Sequence, residues 1–558
     1  MKSVAKVELI PLGGLGEFGL NMMAIRYGND MVVVDCGLMF PEPELLGIDI
    51  VVPDVGFLVE HRAQLRAILL THAHEDHIGA LPFVIEDINV PIYGTEFTLA
   101  MVESRFGEHG LLEATRRHVV EPLQPFALGP FTIEYIHVTH SIVGACAIAI
   151  TTPAGVVIHT GDFKIDATPT DNRPFDLHAF AGYGKRGVLA LLSDSTNVDR
   201  RGYTPSELAV RDRFDDVFAN ASDGRIFICC FTSSIHRIQL AVDMAEEYGR
   251  KVCFLGRSMD TNTAIAHRLD FLHLPDGILI RPQDLRSFPR NKVAIVISGS
   301  QAQGTSALAR ASVNNHKHAE ISEGDLVVLS SRIIPGNEKA IFRMINHLFK
   351  RGAQVIYETE AYPPVHVSGH ASQEELKLLI NLVRPRHFIP VHGEFRQLSL
   401  HAQLARSLHI PGLEAHVAED GEVLELDGKG LVRSGTVATG RVFIDSGSQD
   451  EVAEEVVVRD RRHLAEDGIV LPVLAISKAN GKLQNEPEII TSGFVNPMMA
   501  DGLMARARQV VRDSVANAGR EESGDWSLIK ERIRRDLRKY LQQQTNKRPL
   551  ILPVILEV

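Results

Sequence analysis

A histidine-rich run at residues 71–77, Thr-His-Ala-His-Glu-Asp-His, is the part of the sequence best equipped for chemistry. It directly follows an apolar, strand-like segment. In an extended segment, side chains two residues apart point the same way, so His72 and His74 can meet one metal ion. Asp76 and His77 come at the turn that follows and can serve a second ion. Imidazole and carboxylate ligands without a thiolate suit Zn²⁺ or Mn²⁺.

Three more metal-capable residues each follow an apolar, strand-like run of their own. They are His140, Asp162 and His392. Open sheets collect their functional sites at the carboxyl ends of strands, so we expect these residues to complete the ligand set. The pattern as a whole predicts a centre that holds two metal ions.

The elements that must position these residues change in character along the chain. Up to about residue 200, short apolar strands such as Phe131–His137 alternate with turns rich in glycine and proline. From there strands and helices alternate, which predicts a doubly wound α/β unit, and the first pattern then returns, so we expect this unit to be inserted into the first domain. The predicted segments are 1–205 and 358–445 for the first domain, 206–357 for the insert, and 446–558 for a linker and a C-terminal domain with two amphipathic helices.

The composition is that of an ordinary globular protein. Hydrophobic residues make up 45% and charged residues 23%, which excludes a largely disordered or collagen-like chain. A net charge of −12 argues against a simple nucleic-acid coating protein, but leaves open an enzyme with a local basic channel. The five cysteines form no CxxC pair and are expected to be buried, reduced thiols. No apolar run approaches the roughly 18 residues of a membrane span, so we expect a cytoplasmic protein without a membrane partner.

The residues named so far resemble the metallo-β-lactamase superfamily, whose metal-binding motif matches His72-x-His74-x-Asp76-His77 with His140 and Asp162. Over essentially the whole chain the sequence is most similar to the bacterial ribonuclease J family, in the β-CASP branch that processes nucleic acids. The resemblance implies an α/β fold: a metallo-β-lactamase αββα sandwich with an inserted doubly wound β-CASP domain and a small α+β C-terminal domain. Further matching motifs are Leu12–Glu17, Gly161–Lys164, Asp194–Thr196, Ser234–Arg237, Ile334–Asn337, Ser368–His370, Val391–Glu394 and Lys547–Pro549.

The resemblance also implies roles for individual residues at a centre with two Zn²⁺ ions, with Mn²⁺ as a possible working metal. Asp76 would orient or deprotonate the nucleophile, His370 would protonate the leaving 3′-oxygen, Asp194 would hold the His370 imidazole, and Asp35 would orient the ligands. One ion would be held by His72, His74 and His140, the other by Asp76, His77 and His392, with Asp162 between them.

Two further sites are implied by the same resemblance. One is a pocket for the 5′-phosphate of the substrate, formed by Ser233, Ser234, His366, Val367, Ser368, Gly369 and His370. The other is a structural Ca²⁺ held by Asp49, Asp445 and the carbonyl of Gly47. One loop departs from the family pattern, because Ala302-Gln303-Gly304 stands where the family usually has Gly-Glu-Pro.

The implied activity is that of a ribonuclease acting on single-stranded RNA in RNA maturation and decay. It would be a 5′→3′ exonuclease that prefers 5′-monophosphate ends, with additional endonuclease activity, in a homodimer or homotetramer. A nuclease acting on DNA and a non-catalytic RNA-processing scaffold are the alternatives. Basic residues near strand ends in the insert can line an RNA channel, although solvated surface charge explains each one equally well; they are Arg237, Arg257, Lys292 and Arg332.

Overall fold

An eight-stranded mixed sheet contains the first strands of the chain. The structure is a computed structural model that describes residues 6–41, 50–113, 115–221, 223–334, 337–358, 364–445, 450–452, 468–477, 483–494, 500–517, 526–545, 547 and 549–557. Strands from both sides of the predicted insert lie side by side in this sheet. In spatial order they are Gly430–Thr436, Glu422–Asp427, Val7–Gly13, Met22–Tyr27, Asp30–Val34, Leu65–Leu69, Ile92–Gly94 and Arg117–Val119.

A seven-stranded mixed sheet forms the second layer. The parallel pairing of Ala190–Asp194 with His387–Val391 again joins the segments before and after the insert. In spatial order the strands are Glu414–Ala415, His387–Val391, Ala190–Asp194, Gly155–His159, Cys146–Thr152, Phe131–His137 and Phe126–Leu128.

The two sheets face each other across a layer of alternating apolar side chains. Val32 and Val34 point into this layer, where Ile148 of the second sheet also lies. Met31 and Val33 point to the opposite side, into the core shared with the helices. This alternation follows from the period of two in a strand. Each sheet is therefore covered by its partner on one face and by helices on the other, the αββα layering that the family resemblance implies.

The inserted unit is built on a sheet of five parallel strands. Helices Leu208–Asn220 and Ile235–Glu247 cover one face of this sheet, and Ala307–Ser312 and Glu338–Lys350 cover the other. The chain starts at the central strand, runs to one edge and then returns across the sheet to the other edge, as the predicted doubly wound unit requires. In spatial order the strands are Lys251–Leu255, Val293–Ile297, Ile226–Cys230, Leu326–Ser330 and Gln354–Ile356.

The C-terminal region packs two long helices, Ala500–Ala516 and Trp526–Thr545, on a small sheet. The strands of this sheet are Glu488–Ser492, Ile469–Ile476, Leu550–Ile551 and Val554–Glu557. Smaller sheets pair Leu15–Gly16 with Gly393–Glu394, and Ile50–Pro53 with Arg441–Asp445 and Asp450–Val452.

The remaining helices lie between the strands of the first three sheets, and all five cysteines are buried and unpaired, as expected. None of the helices in the described part of the chain combines the length and apolar character needed to cross a membrane. The remaining α-helices are Gly56–Glu60, Glu75–Ile78, Leu81–Ile88, Glu96–His109, Leu177–Arg186, Arg257–Arg268, Gln373–Val383 and Phe395–Ser407, and the 3₁₀ helices are Pro282–Ser287 and Arg290–Lys292.

Candidate metal centre

The first group of metal-capable side chains is His72, His74, His140 and Asp162. Each follows the carboxyl end of a strand of one of the two facing sheets. The Nδ1 atom of His74 lies 3.0 Å from Nε2 of His72 and 3.1 Å from Nε2 of His140. Asp162 Oδ2 is 3.7 Å from the His72 nitrogen and 3.8 Å from the His140 nitrogen. Four ligand atoms from three loops thus surround one point.

The second group is Asp76, His77, Asp162 and His392. Oδ2 of Asp162 lies 3.3 Å from Nε2 of His77 and 3.7 Å from Nε2 of His392. Oδ2 of Asp76 is 3.2 Å from the His392 nitrogen and 3.7 Å from the His77 nitrogen. The same Asp162 oxygen therefore belongs to both groups. All seven predicted ligands are brought together.

The spacing of these atoms suits metal ions. In a tetrahedral zinc site with bonds of about 2.0–2.1 Å, neighbouring ligand atoms lie roughly 3.3 Å apart. The eight separations given above run from 3.0 to 3.8 Å, and all ligand atoms of each group lie within 4.8 Å of one another. The Oδ1 atom of Asp162 is buried and has no hydrogen-bond partner among the described residues, which is a costly state for a carboxylate oxygen. The donor set and this unsatisfied oxygen fit divalent cations.

Hydrogen bonds behind His72 and His77 fix which nitrogen of each ring faces inward. The Nδ1–H of His77 donates to Asp35 Oδ2 at 2.8 Å. The Thr71 hydroxyl donates to the same carboxylate, also at 2.8 Å, so it accepts from the Nδ1–H of His72 at 3.0 Å. Both rings therefore keep the Nε2 lone pair for the centre. Such outer contacts orient metal ligands and tune their basicity.

His140 and His392 are held in the same way. The Nδ1–H of His140 donates to the backbone carbonyl of Gly369 at 2.8 Å. The Thr196 hydroxyl donates to Asp194 Oδ1 at 2.7 Å, so it accepts from the Nδ1–H of His392 at 2.7 Å. Both rings therefore present Nε2 to the centre, the orientation in which a neutral imidazole can bind a metal.

Backbone strain accompanies the site. Asp35 and His392 have φ values of 63° and 56°, a region that residues other than glycine rarely adopt. Gly37 makes a closer approach than any other residue would allow, since a Cβ there would lie 1.6 Å from the backbone oxygen of Asp76. Conformations of this kind persist at functional sites because the surrounding structure enforces them.

The electrostatics of the centre divide the histidines into two types. Burial lowers the pKa of His74 to about 4, so its ring is neutral near pH 7. Burial alone would also lower the pKa of His77 and His392, but the surrounding carboxylates, with Asp162 the strongest, together outweigh it and raise both. In turn, burial would raise the pKa of Asp162, but His392 and His77 hold it well below its usual range. Negative charge is thus concentrated on the oxygen that both groups share.

One further histidine lies at the edge of the centre. The Nδ1–H of His370 donates to Asp194 Oδ2 at 2.8 Å, and its ring stacks on that of His392 with centroids 5.6 Å apart. Burial would lower the pKa of His370, but the Asp194 carboxylate outweighs this effect and raises it. The structure thus brings His370 and Asp194 together beside the ligand groups.

Comparison with family models covers most of the chain. Residues 15–200 match the metallo-β-lactamase superfamily, and residues 363–418 match the Zn-dependent metallo-hydrolase RNA specificity domain. Residues 223–348 match the ribonuclease J β-CASP domain, and residues 456–558 match the ribonuclease J C-terminal domain.

Full-length relatives decide the family. Ribonuclease J of Thermus thermophilus is 40% identical over 561 residues, covering 99% of this chain and 95% of that protein. Ribonuclease J2 of Bacillus subtilis is 38% identical over 557 residues, which cover 100% of this chain and 100% of that protein. The chain belongs to the ribonuclease J family. A third relative, ribonuclease J of Helicobacter pylori, is 38% identical over 99% of this chain and 80% of its own length.

Membership in the ribonuclease J family confirms the predicted fold class and the predicted enzyme class, a metal-dependent hydrolase acting on RNA. A solved structure adds a likeness of fold alone. A protein of unknown function from Enterococcus faecalis covers 76% of this chain and 100% of its own, with a TM-score of 0.54 and 17% identity.

The loop that follows the insert packs directly on the centre of this ribonuclease J family member. Gly369 holds His140 through its carbonyl, and a Cβ at Gly369 would lie 2.7 Å from the His140 ring. Asn197 ties the loop down by donating to Ser368 Oγ at 2.8 Å and to the carbonyl of His370 at 3.0 Å. Within the loop, Val367 and Ser368 are buried and His366 is partly buried. The predicted phosphate loop is thus a neighbour of the metal ligands.

Arg237 does not line a channel, contrary to the sequence-based interpretation. Its side chain is 1% exposed and donates to Glu207 at 2.6 Å and to Ser330 at 2.5 Å. It also donates to the carbonyl of Val365 at 3.2 Å, next to His366. The sequence did not reveal this burial, because the partners of Arg237 come from three segments that are far apart in the sequence. Arg237 therefore joins the insert to the phosphate loop.

The other predicted binding residues are dispersed. Ser233 and Ser234 are the two residues before helix Ile235–Glu247, which carries Arg237. Arg257 and Lys292 are exposed, whereas Arg332 donates to Asn197 at 3.2 Å. For the predicted calcium site, Gly47 and Asp49 lie outside the described residues, and of Asp445 the structure describes only the backbone at the end of a strand.

Sequence reasoning gave no role to three residues that hold the ligands. Thr71 and Thr196 link ring nitrogens to carboxylates, and Asn21 donates to the backbone oxygen of Asp76 at 3.0 Å. Thr71 and Thr196 lie within two residues of His72 and Asp194, so their place in the sequence could have indicated that they contact the candidate ligands. Asn21 offered no such indication, because it lies 55 residues from Asp76.

Proposed function

We propose that this chain is a two-zinc ribonuclease. It hydrolyses phosphodiester bonds as a 5′→3′ exonuclease that prefers 5′-monophosphate ends, with additional endonuclease activity, in RNA maturation and decay. The observation that carries the proposal is the contact between the phosphate loop and the metal centre. The carbonyl of Gly369 accepts a hydrogen bond from the ring of His140, so one loop serves both sites.

The ligands divide between the two ions according to the two groups. His72, His74 and His140 would hold one zinc ion, Asp76, His77 and His392 would hold the other, and Asp162 would be shared. When bound, two divalent cations polarise phosphoryl oxygens, acidify a water molecule and offset the charge that develops on phosphorus. Asp35, Thr71 and Thr196 would keep the ligand rings in their binding tautomers.

Two side chains have positions that suit proton transfer. Asp76 is the most exposed carboxylate of the centre, with 35% of its side chain accessible, so it can orient the attacking water or accept its proton. His370 holds its Nδ1–H on Asp194 and therefore directs Nε2 to another partner. We assign His370 the donation of a proton to the leaving 3′-oxygen.

The position of the loop at residues 366–370 supports cleavage from the end of the strand. It offers backbone N–H groups and the Ser368 hydroxyl, which suit a phosphate. A terminal 5′-phosphate held there would leave the first phosphodiester bond beside His140. Cleavage would then release mononucleotides, and a 5′-hydroxyl end would lose the anchoring contact.

The test is a time course on single-stranded RNA with 5′-monophosphate, 5′-triphosphate or 5′-hydroxyl ends, with matched DNA alongside. His74→Ala serves as the inactive control, and the zinc content of both proteins is assayed. Parallel reactions with added Mn²⁺ identify the working metal.

Each outcome has a distinct meaning. Release of mononucleotides from the monophosphorylated RNA, lost in His74→Ala, is the expected result. Internal cuts alone would remove the exonuclease assignment. Turnover of DNA in preference to RNA would mean that the protein is a DNA nuclease rather than a ribonuclease. No turnover by a zinc-loaded protein would favour a non-catalytic scaffold.

We also propose that residues 446–558 support a homodimer or homotetramer. Ile490 and Leu556 are apolar side chains of the C-terminal sheet that are 47% and 52% exposed, and burying them against a second copy would stabilise an assembly. Sedimentation velocity of the full chain should give a dimer or tetramer. Leu556→Glu should dissociate it, and a monomer in the unmodified protein would contradict the proposal.

A further inference from the structure

A second cluster of metal-capable side chains lies at the opposite end of the strand that precedes His392. His387 is the first residue of strand His387–Val391 and pairs in parallel with Glu414 of the edge strand Glu414–Ala415. His416 directly follows this edge strand and donates its backbone N–H to the carbonyl of Phe388 at 2.9 Å. The register of two parallel strands thus brings two imidazoles and a carboxylate together.

The ligand atoms of this cluster are spaced like those of the metal centre. Nδ1 of His387 lies 3.2 Å from Nε2 of His416 and 3.7 Å from Oε2 of Glu414. Nε2 of His416 lies 3.6 Å from the same carboxylate oxygen. The three atoms form a nearly regular triangle, with sides close to the roughly 3.3 Å edge of a tetrahedral zinc site.

We propose that His387, Glu414 and His416 bind a divalent transition-metal ion, for which zinc is the best match. Two imidazoles and one carboxylate are three of the four ligands that a tetrahedral zinc ion takes. Solvent can supply the fourth, because the side chain of Glu414 is 59% exposed and that of His416 is 22% exposed. The same exposure gives the ion a route to the site.

A direct hydrogen bond between the two rings is the competing explanation for their closeness. It does not account for Glu414, whose Oε2 lies 3.7 Å from Nδ1 of His387 and 3.6 Å from Nε2 of His416, too far to hydrogen-bond with either ring. Nε2 of His387 is buried and has no partner among the described residues under either explanation. The metal would take the Nδ1 lone pair and leave the ring proton on Nε2.

The bound ion would have a structural role. Glu414–Ala415 is a two-residue strand at the edge of the seven-stranded sheet, and it pairs only with the strand that precedes His392 among the described residues. A shared metal would fasten this edge to its neighbour about five residues from a ligand of the main centre. The inference is independent of the proposed function.

Metal content tests the proposal without any activity assay. The full-length protein, His416→Ala, Glu414→Gln and a control, His273→Ala, are equilibrated with zinc, dialysed against metal-free buffer and analysed by mass spectrometry. His273 is an exposed histidine outside both clusters. Glu414→Gln preserves shape at an exposed position, so it keeps the test valid if His416→Ala folds poorly.

The expected result is one zinc ion fewer per chain in His416→Ala than in the unmodified protein. Zinc affinity at the same site should fall at least about tenfold in Glu414→Gln, which is the smallest loss usual for disturbing a metal site. His273→Ala should match the unmodified protein. The same differences should persist in a His74→Ala background, which separates this cluster from the main centre. Equal zinc content in all four proteins would overturn the proposal and leave a hydrogen-bonded histidine pair.

Discussion

Replacing Arg237 with methionine should destabilise the junction between the insert and the first domain by about 3–5 kcal/mol. The guanidinium belongs to a buried cluster of four charges with Lys164, Asp166 and Glu207. Methionine has a similar volume but leaves one positive and two negative charges in the cluster. Glu207 then keeps only Lys164, whose Nζ lies 3.7 Å from its carboxylate.

The pKa of Glu207 gives the size of the interaction. Burial would raise it, but Arg237 and Lys164 outweigh burial and lower it from 4.5 to about 2. A shift of that size corresponds to roughly 3 kcal/mol. Because the folded-state value is the lower one, this stability is fully present above about pH 4.5 and is lost as the pH falls towards 2. The difference between the unmodified protein and Glu207→Gln should therefore shrink at pH 3.

Differential scanning calorimetry measures the effect in Arg237→Met, Glu207→Gln and the double variant. With about 2–4 °C per kcal/mol for a unit of this size, the Tm of Arg237→Met should fall by about 6–20 °C. The double variant should lose less than the sum of the single losses, because Lys164 and Asp166 again balance. Arg257→Met, at an exposed helix start, should leave the Tm unchanged. Single losses that add to within about 1 °C in the double variant would refute the pairing.

Three other substitutions test the centre and its surroundings. Asp162→Asn should reduce bound zinc, measured by mass spectrometry, because both ligand groups lose their shared carboxylate; unchanged zinc content would contradict the shared-ligand assignment. In Gly369→Ala the new Cβ would lie 2.7 Å from Cε1 of His140, so the His140 ring should be displaced. Zinc affinity, measured by competition with a chelator, should fall at least about tenfold. An unchanged affinity would mean that the loop backbone moves and the ring stays in place. Burial and Glu17 raise the pKa of the Asp420 carboxyl to about 7, so the stability of the unmodified protein falls as the pH rises from about 4 to 7. Asp420→Asn removes this ionisation and should stabilise the protein above pH 7 by up to roughly 4 kcal/mol. A variant with the same Tm as the unmodified protein at pH 8 would refute this.

The family resemblance was sufficient to predict the fold class, and the apolar runs and their breaks were sufficient to predict the doubly wound inserted unit. The predicted strand Phe131–His137 has the bounds that the structure gives it. Near the end of the chain, Leu550–Ile551 and Val554–Glu557 are two strands rather than one, since Pro553 between them has no N–H to donate. Local chemistry of this kind decides boundaries rather than architecture.

Contacts between distant segments were beyond sequence reasoning. The seven ligands could be named because each follows a strand. The burial of Arg237 depends on Glu207, Ser330 and Val365 meeting at one point, and nothing near Arg237 in the sequence signals that meeting. The cluster of His387 and Glu414 likewise arises only from the register of a parallel pair.

The parallel pairing of Ala190–Asp194 with His387–Val391 sets an order in time during synthesis. His72, His74, His140 and Asp162 all lie in the first 162 residues, whereas His392 follows Asp162 after about 230 more residues, which takes roughly 12–46 s at ordinary elongation rates. Until then one edge of Ala190–Asp194 lacks its neighbour, and the second ligand group lacks a member. A nascent chain still attached to its own messenger RNA therefore lacks one of the seven ligands of the centre with which the finished protein would cut RNA.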